Sequence, residues 1–217
     1  MSNEQLLKYN IQGSGAPVVF LHGFLENRTM WNEVVSKLKD IQVIQIDLPG
    51  HGESSFIEEG ETMLSMAEKV QLVLKKENIT NPIIIGHSMG GYVGLELIHL
   101  MKLRRLVLFH SNFWEDTPEK KHNRNRVIRI VKLNKEIFVR EAIPGLFNPK
   151  YKSKYQDQIQ EIIAESMLMS KEGIIKTSLA LRDRKDHSTT VEKHAKSITI
   201  IHGLEDPLIP DGLFNIY

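Results

Sequence analysis

The stretch Ile83-Ile84-Ile85-Gly86-His87-Ser88-Met89-Gly90 decides how this chain folds. Three β-branched residues in a row suit a strand buried on both faces. A Gly-x-Ser-x-Gly turn follows, and then Val93, Leu95, Leu97 and Ile98 recur in a pattern that predicts a helix over 88–101. A serine between such a strand and such a helix stands on a sharp, strained turn that only small neighbours permit, and Gly86 and Gly90 supply that room. Its hydroxyl then projects from the sheet edge. The backbone N–H of Met89 opens the helix and can donate to an oxyanion, with the helix dipole behind it. Ser88 is therefore the candidate nucleophile, and Gly86, His87 and Gly90 form its elbow.

The same alternation extends in both directions. Short apolar runs at 18–21, 43–46, 106–109 and 198–201 read as further buried strands, each ending in a polar or glycine-containing turn. Helices are predicted over 31–38 and 63–77. In the second, Met63, Met66, Ala67, Val70, Val73 and Leu74 share one face, which makes those methionines core residues. Strands alternating with helices define an α/β fold with a mostly parallel, doubly wound sheet. From 112 to 195 the strand signal stops, and helical patterns run far longer than an ordinary connection requires. Ile159, Ile162, Ile163 and Met167 recur there at helical spacing, while Pro144-Gly145 and Asn148-Pro149 mark turns. The expected organisation is a sheet domain of 1–111 and 196–217 with a helical cap inserted over 112–195.

Composition narrows the function. Across 217 residues the formal net charge is +1, too small to gather nucleic acid or an anionic membrane. The basic run Lys120, Lys121, His122, Arg124, Arg126 and Arg129 alternates with Val127, Ile128, Ile130 and Val131, as the solvated face of an amphipathic helix would. The chain has no cysteine, which excludes disulfides, thiolate nucleophiles and Cys-based metal sites. The first ten residues are polar and no apolar run approaches about 18 residues, so a cytoplasmic protein without a membrane partner is expected. No His-Glu-x-x-His or similar spacing occurs, and neither metal nor organic cofactor is expected.

Three other segments fit the same site. They are Phe20-Leu21-His22-Gly23-Phe24, Asp47-Leu48-Pro49-Gly50-His51-Gly52-Glu53-Ser54 and His202-Gly203-Leu204-Glu205-Asp206-Pro207-Leu208-Ile209-Pro210, each directly after a predicted strand. Together with the elbow they resemble the α/β-hydrolase superfamily, in particular its small capped branch of esterases, lactonases, carbon–carbon hydrolases and related lyases. The resemblance implies that Phe24 gives the second oxyanion donor and that Asp206 is the triad acid, with Glu205 a weaker rival. It implies a structural role for Asp47 and His51, bonding backbone in a tight loop. The implied activity is that of a serine hydrolase cleaving a small ester or thioester through an acyl-enzyme, with water as second substrate. A lyase or carbon–carbon hydrolase of the same family, and a non-catalytic module that retains the pocket, are the alternatives. Arg124, Arg126 and Arg182 would favour a carboxylated substrate if they line the cleft.

The order Ser, acid, His leaves the base unassigned. Eleven residues follow Asp206, at 207–217, and none is a histidine. In relatives that histidine lies one helix and one strand further on. The expectation is a chain truncated before its base and nearly inactive, with an exposed edge at 198–201 that favours strand exchange or a homodimer. Of the nine histidines, His22, His51, His87 and His202 hold motif positions. His110 and His187 fall within reach of the cleft rim and read as turn or surface residues, while His99, His122 and His194 read as helix surface.

Overall fold

The computed structural model describes residues 6–204 and 206. Six strands, β1 (Tyr9–Gly13), β2 (Ala16–Leu21), β3 (Ile41–Ile46), β4 (Ile83–His87), β5 (Arg105–Phe109) and β6 (Ile198–Ile201), form one sheet in the order β1-β3-β2-β4-β5-β6. Only β1 runs antiparallel, against β3; every other pairing is parallel. The doubly wound α/β architecture is thus the one the alternating pattern requires. Parallel strands end at a common edge, so the turns after β2, β3, β4, β5 and β6 are gathered there.

Along the central strands β2 and β3 successive side chains point to opposite faces of the sheet, and both faces are buried. Val19 and Leu21 of β2, with Ile44 and Ile46 of β3, join one core cluster with α2 (Met63–Lys76) and α3 (Met89–Leu100). Val18, Phe20 and Val43 point to the other face and pack with Trp31 and Val35. The six apolar positions expected on α2 are all buried, and Thr62 caps that helix by accepting from Ser65 N–H. About 25 cal/mol per Å² of apolar burial drives both layers.

Three local expectations are corrected. Helix 31–38 is instead a 3-10 turn at Arg28–Trp31 followed by the short α1 (Asn32–Val35), because the chain must reverse through Asp40 at φ 58 to enter β3. The predicted helix over 88–101 begins at Met89, with Ser88 outside it in a non-helical conformation. Strand β1 was not expected, since Tyr-Asn-Ile-Gln-Gly mixes polar residues into an edge strand that buries little.

Between β5 and β6 the chain forms five helices, α4 (Pro118–Leu133), α5 (Lys135–Gly145), α6 (Gln156–Met167), α7 (Lys171–Arg182) and α8 (Ser188–Lys193). Pro144 and Gly145 lie inside the last turn of α5 and do not interrupt it. A second apolar cluster joins Ile159 and Ile163 of α6 to Val131, Phe138, Val139, Ile143, Met169 and Ile174. On α4, Ile128 and Val131 are buried while Arg126 and Arg129 face solvent, as an amphipathic helix requires. Among the described residues no helix is long and apolar enough to cross a membrane.

Candidate active site

Ser88 follows the last residue of β4, at φ 47 and ψ −111, a conformation that L-residues with a Cβ rarely adopt. Backbone bonds over-determine it. Its N–H donates to Phe109 O at 3.1 Å, and its carbonyl accepts from Gly91 N–H at 2.9 Å and from the Ser111 hydroxyl at 2.8 Å. The two elbow glycines are required by close approach: a Cβ on Gly86 would lie 2.4 Å from Gly90 O, and one on Gly90 would lie 2.5 Å from Leu21 O. The serine hydroxyl makes no capping bond to α3.

Directly opposite, the turn after β2 carries His22, Gly23, Phe24, Leu25 and Glu26. His22 is fully buried, and its Nε2 accepts the Leu48 N–H at 2.9 Å while Nδ1 bonds Gly23 O at 2.8 Å. That pattern needs a neutral ring with the proton on Nδ1. Burial lowers the His22 pKa to about 4. His51 is equally buried, with Nδ1 bonded to Pro49 O at 2.9 Å, and burial lowers its pKa to about 3. Asp47, with no exposed surface, accepts from the N–H groups of Arg28 at 2.8 Å and Glu53 at 2.9 Å and pairs with the Arg28 guanidinium. Asp47 and His51 therefore do bond backbone.

The two depressed histidines make acid stability predictable. Both stay neutral in the folded chain but bind a proton near the ordinary 6.5 when unfolded, so their contribution is present above 6.5 and lost as pH falls toward 4 and 3. With one pKa unit equal to about 1.4 kcal/mol, the urea midpoint should fall steeply between pH 6.5 and 4. A midpoint that stays level across that window overturns this account of the loop.

Phe24 is half-buried, its ring 6.2 Å from that of His51. Leu25 has φ 67, is 3% exposed and packs into the apolar cluster of the inserted helices, and its carbonyl accepts from the Ser166 hydroxyl of α6 at 2.6 Å. Nearby, Glu165 accepts from Asn27 at 3.0 Å and Thr29 at 3.1 Å. The turn after β2 is thus anchored in the inserted helices as well as in the sheet.

His110 meets Asp206, its Nδ1 2.5 Å from Asp206 Oδ2. His110 follows β5 at φ 46, next in sequence to the carbonyl that receives the Ser88 N–H. Sequence reading set His110 down as a turn residue and joined Asp206 to a histidine beyond the chain; the contact links residues 96 apart, which no local pattern reveals. His187 is not at a cleft rim. It is 7% exposed, its Nε2 lies 3.3 Å from Glu96 Oε1, and its ring stacks on that of His99. Glu26, also unremarked in the sequence, accepts from Gly23 N–H at 2.7 Å and lies 2.8 Å from His87 Nδ1. Two of the three arginines offered for a substrate carboxylate have partners within the protein: Arg124 on Asp116, and Arg182 on Asp183 and Asn125. Arg126 is exposed. Glu205, Pro207, Leu208, Ile209 and Pro210 lie outside the described residues. No group of three His, Cys, Asp or Glu able to hold a metal ion occurs among those described.

Comparison with known proteins agrees with this layout. A family model for the alpha/beta hydrolase fold matches residues 16–108, from β2 through β5. A thermophilic esterase from Thermogutta terrifontis, solved with malate bound, superposes with a TM-score of 0.87 at 29% identity, over 94% of this chain and 77% of that one. A bromoperoxidase from Bacillus anthracis shares the fold, with a TM-score of 0.83 at 21% identity over 94% of this chain and 79% of its own. The AB hydrolase superfamily protein YisY of Bacillus subtilis is 24% identical over 210 residues, 91% of this chain and 77% of that protein. With its sheet order and strand-to-helix elbow, the chain belongs to the α/β-hydrolase superfamily. Esterase and haloperoxidase neighbours support a hydrolase-like enzyme.

Proposed function

We propose that this chain is a serine hydrolase acting on a small carboxylic ester or thioester, with Ser88 as nucleophile. The observation that carries the reading is the strained backbone of Ser88 between β4 and α3, with the turn after β2 packed against the elbow. Strain of this kind costs about 1–3 kcal/mol and persists where function requires it. In the proposed reaction Ser88 Oγ attacks the substrate carbonyl and passes its proton to a histidine base. The N–H groups of Phe24 and Met89 hold the oxyanion, each such donor being worth about 2.7–4 kcal/mol. The intermediate collapses to an acyl-enzyme, and the alcohol or thiol leaves with the proton. Water then repeats the sequence and releases the acid. Asp206 is the carboxylate that orients the base.

The 2.5 Å contact with Asp206 favours His110 as that base. Labelling with a fluorophosphonate probe, followed by mapping of the modified peptide, tests the whole reading. Ser88 should carry the probe, and His110→Gln and Asp206→Asn should each slow labelling by at least about a hundredfold. An unlabelled Ser88 overturns the reading for this chain. Labelling that survives His110→Gln removes His110 from the base role.

A further inference from the structure

We infer that Glu26 is a positioning residue, which ties the turn carrying Phe24 to the nucleophile elbow through the His87 ring. The inference rests on the serine-hydrolase reading for its purpose, since Phe24 is there the oxyanion donor. Its geometry stands independently. One carboxylate oxygen of Glu26 receives the Gly23 N–H at 2.7 Å and lies 2.8 Å from His87 Nδ1, so a single atom joins the residue before Phe24 to the residue before Ser88. The side chains are only 14% and 21% exposed. Gly23 is glycine for this reason: a Cβ there would sit 2.6 Å from Glu26 Oε2 and 2.8 Å from His87 Nδ1.

His87 sits among aromatic rings. Trp31 and Phe109 present their rings at 6.5 and 6.0 Å, and the His110 ring lies at 6.2 Å. The charged groups that face it are Glu26 from the turn after β2 and Asp206 from the turn after β6, with His22 acting through space. Burial favours the neutral ring, but the Glu26 charge and hydrogen bond, with Asp206, outweigh it and raise the His87 pKa above the ordinary value. Burial likewise opposes ionisation of Glu26, yet His87 and the Gly23 N–H hold its pKa below the ordinary value. The charge-assisted tie is therefore present between the Glu26 midpoint, held below its ordinary value, and the His87 midpoint, held above its own, and it is lost as pH rises through the latter. Loosening it frees Gly23 and Phe24 from the elbow and degrades the anion site.

Glutamine at position 26 keeps the length and an acceptor for both donors, and so rescues a merely structural bridge while removing the charge. In nitrogen-15 NMR titrations of wild type and Glu26→Gln, the Gly23 and Phe24 amides of the wild type should move with the His87 midpoint. In the variant that midpoint should fall and the amide excursions should shrink several-fold, with the remaining spectrum unchanged. Fluorophosphonate labelling of Ser88 should be about tenfold slower in the variant at neutral pH. Gly23 and Phe24 amides that do not follow His87 in the wild type, or a Glu26→Gln protein that matches the wild type in all these readouts, overturn the inference. Tracking amides with an unlabelled wild-type Ser88 would preserve the tie and sink the hydrolase reading instead.

Discussion

Replacing Ser88 with glycine is expected to abolish probe labelling and ester cleavage while raising the unfolding temperature by a few degrees. The loss follows from removing the proposed nucleophile, after which any cleavage left comes from anion binding alone and lies about a thousandfold or more below wild type. The stability gain is the less obvious half. Ser88 is held at φ 47 and ψ −111 by three backbone-directed hydrogen bonds, all of which use its N–H or carbonyl and none its hydroxyl. Glycine keeps those bonds and enters the conformation without a Cβ clash. Relief of about 1–3 kcal/mol of strain exceeds the roughly 0.5–1 kcal/mol that glycine costs in chain entropy. For a chain of this size 1 kcal/mol moves the midpoint by about 2–4 °C. Calorimetry decides: a lower midpoint for Ser88→Gly would mean that no strain is stored at the elbow.

The second large effect lies at the root of the inserted helices. Asp116, 1% exposed, precedes α4, and Arg184 follows α7 with a side chain only 4% exposed. Arg184 Nη1 meets Asp116 Oδ1 at 2.6 Å, and Arg124 Nε donates to Asp116 Oδ2 at 3.1 Å. Arg184 also donates to Trp114 O at 3.0 Å and Leu181 O at 2.9 Å, and its guanidinium lies 4.3 Å from the centre of the Tyr92 ring on α3. One side chain thus ties the segment before α4, the end of α7 and α3 to one another. Arg184→Met would leave the carboxylate buried with Arg124 alone and two carbonyls without their donor. Breaking a buried pair in this way costs about 3–5 kcal/mol. Arg184→Lys should recover little, because an ammonium supplies neither the planar fork nor the stacking. Urea unfolding of both variants and of Asp116→Asn checks this; a loss below about 1 kcal/mol in all three would show that the insertion is held mainly by apolar packing.

The chemistry that the sequence suggested for its arginines depended on which of them reach the cleft. The structure commits Arg124 and Arg182 to internal partners and buries Arg184, which sequence reading passed over. Long charged side chains choose partners by position in space, and a helical pattern specifies only the face on which they start. The same holds for Glu26: a carboxylate three residues after Gly23 looks like an ordinary turn residue until β4 brings His87 against it from 61 residues away.

Short-range order was legible in the chain itself. Short apolar runs marked β2 to β6, because parallel strands with helices on both faces are mostly apolar, and the six apolar positions of α2 marked its buried face. The Gly-x-Ser-x-Gly turn announced its strained serine, because only glycine at 86 and 90 leaves room for that close approach. Strand β1 escaped notice because a polar edge strand carries no burial signal. Only the tertiary structure decided the pairings of Glu26 with His87, His110 with Asp206 and Arg184 with Asp116. Each joins side chains from separate turns or helices. Such contacts depend on sheet order and helix packing, which periodicity along the chain does not encode.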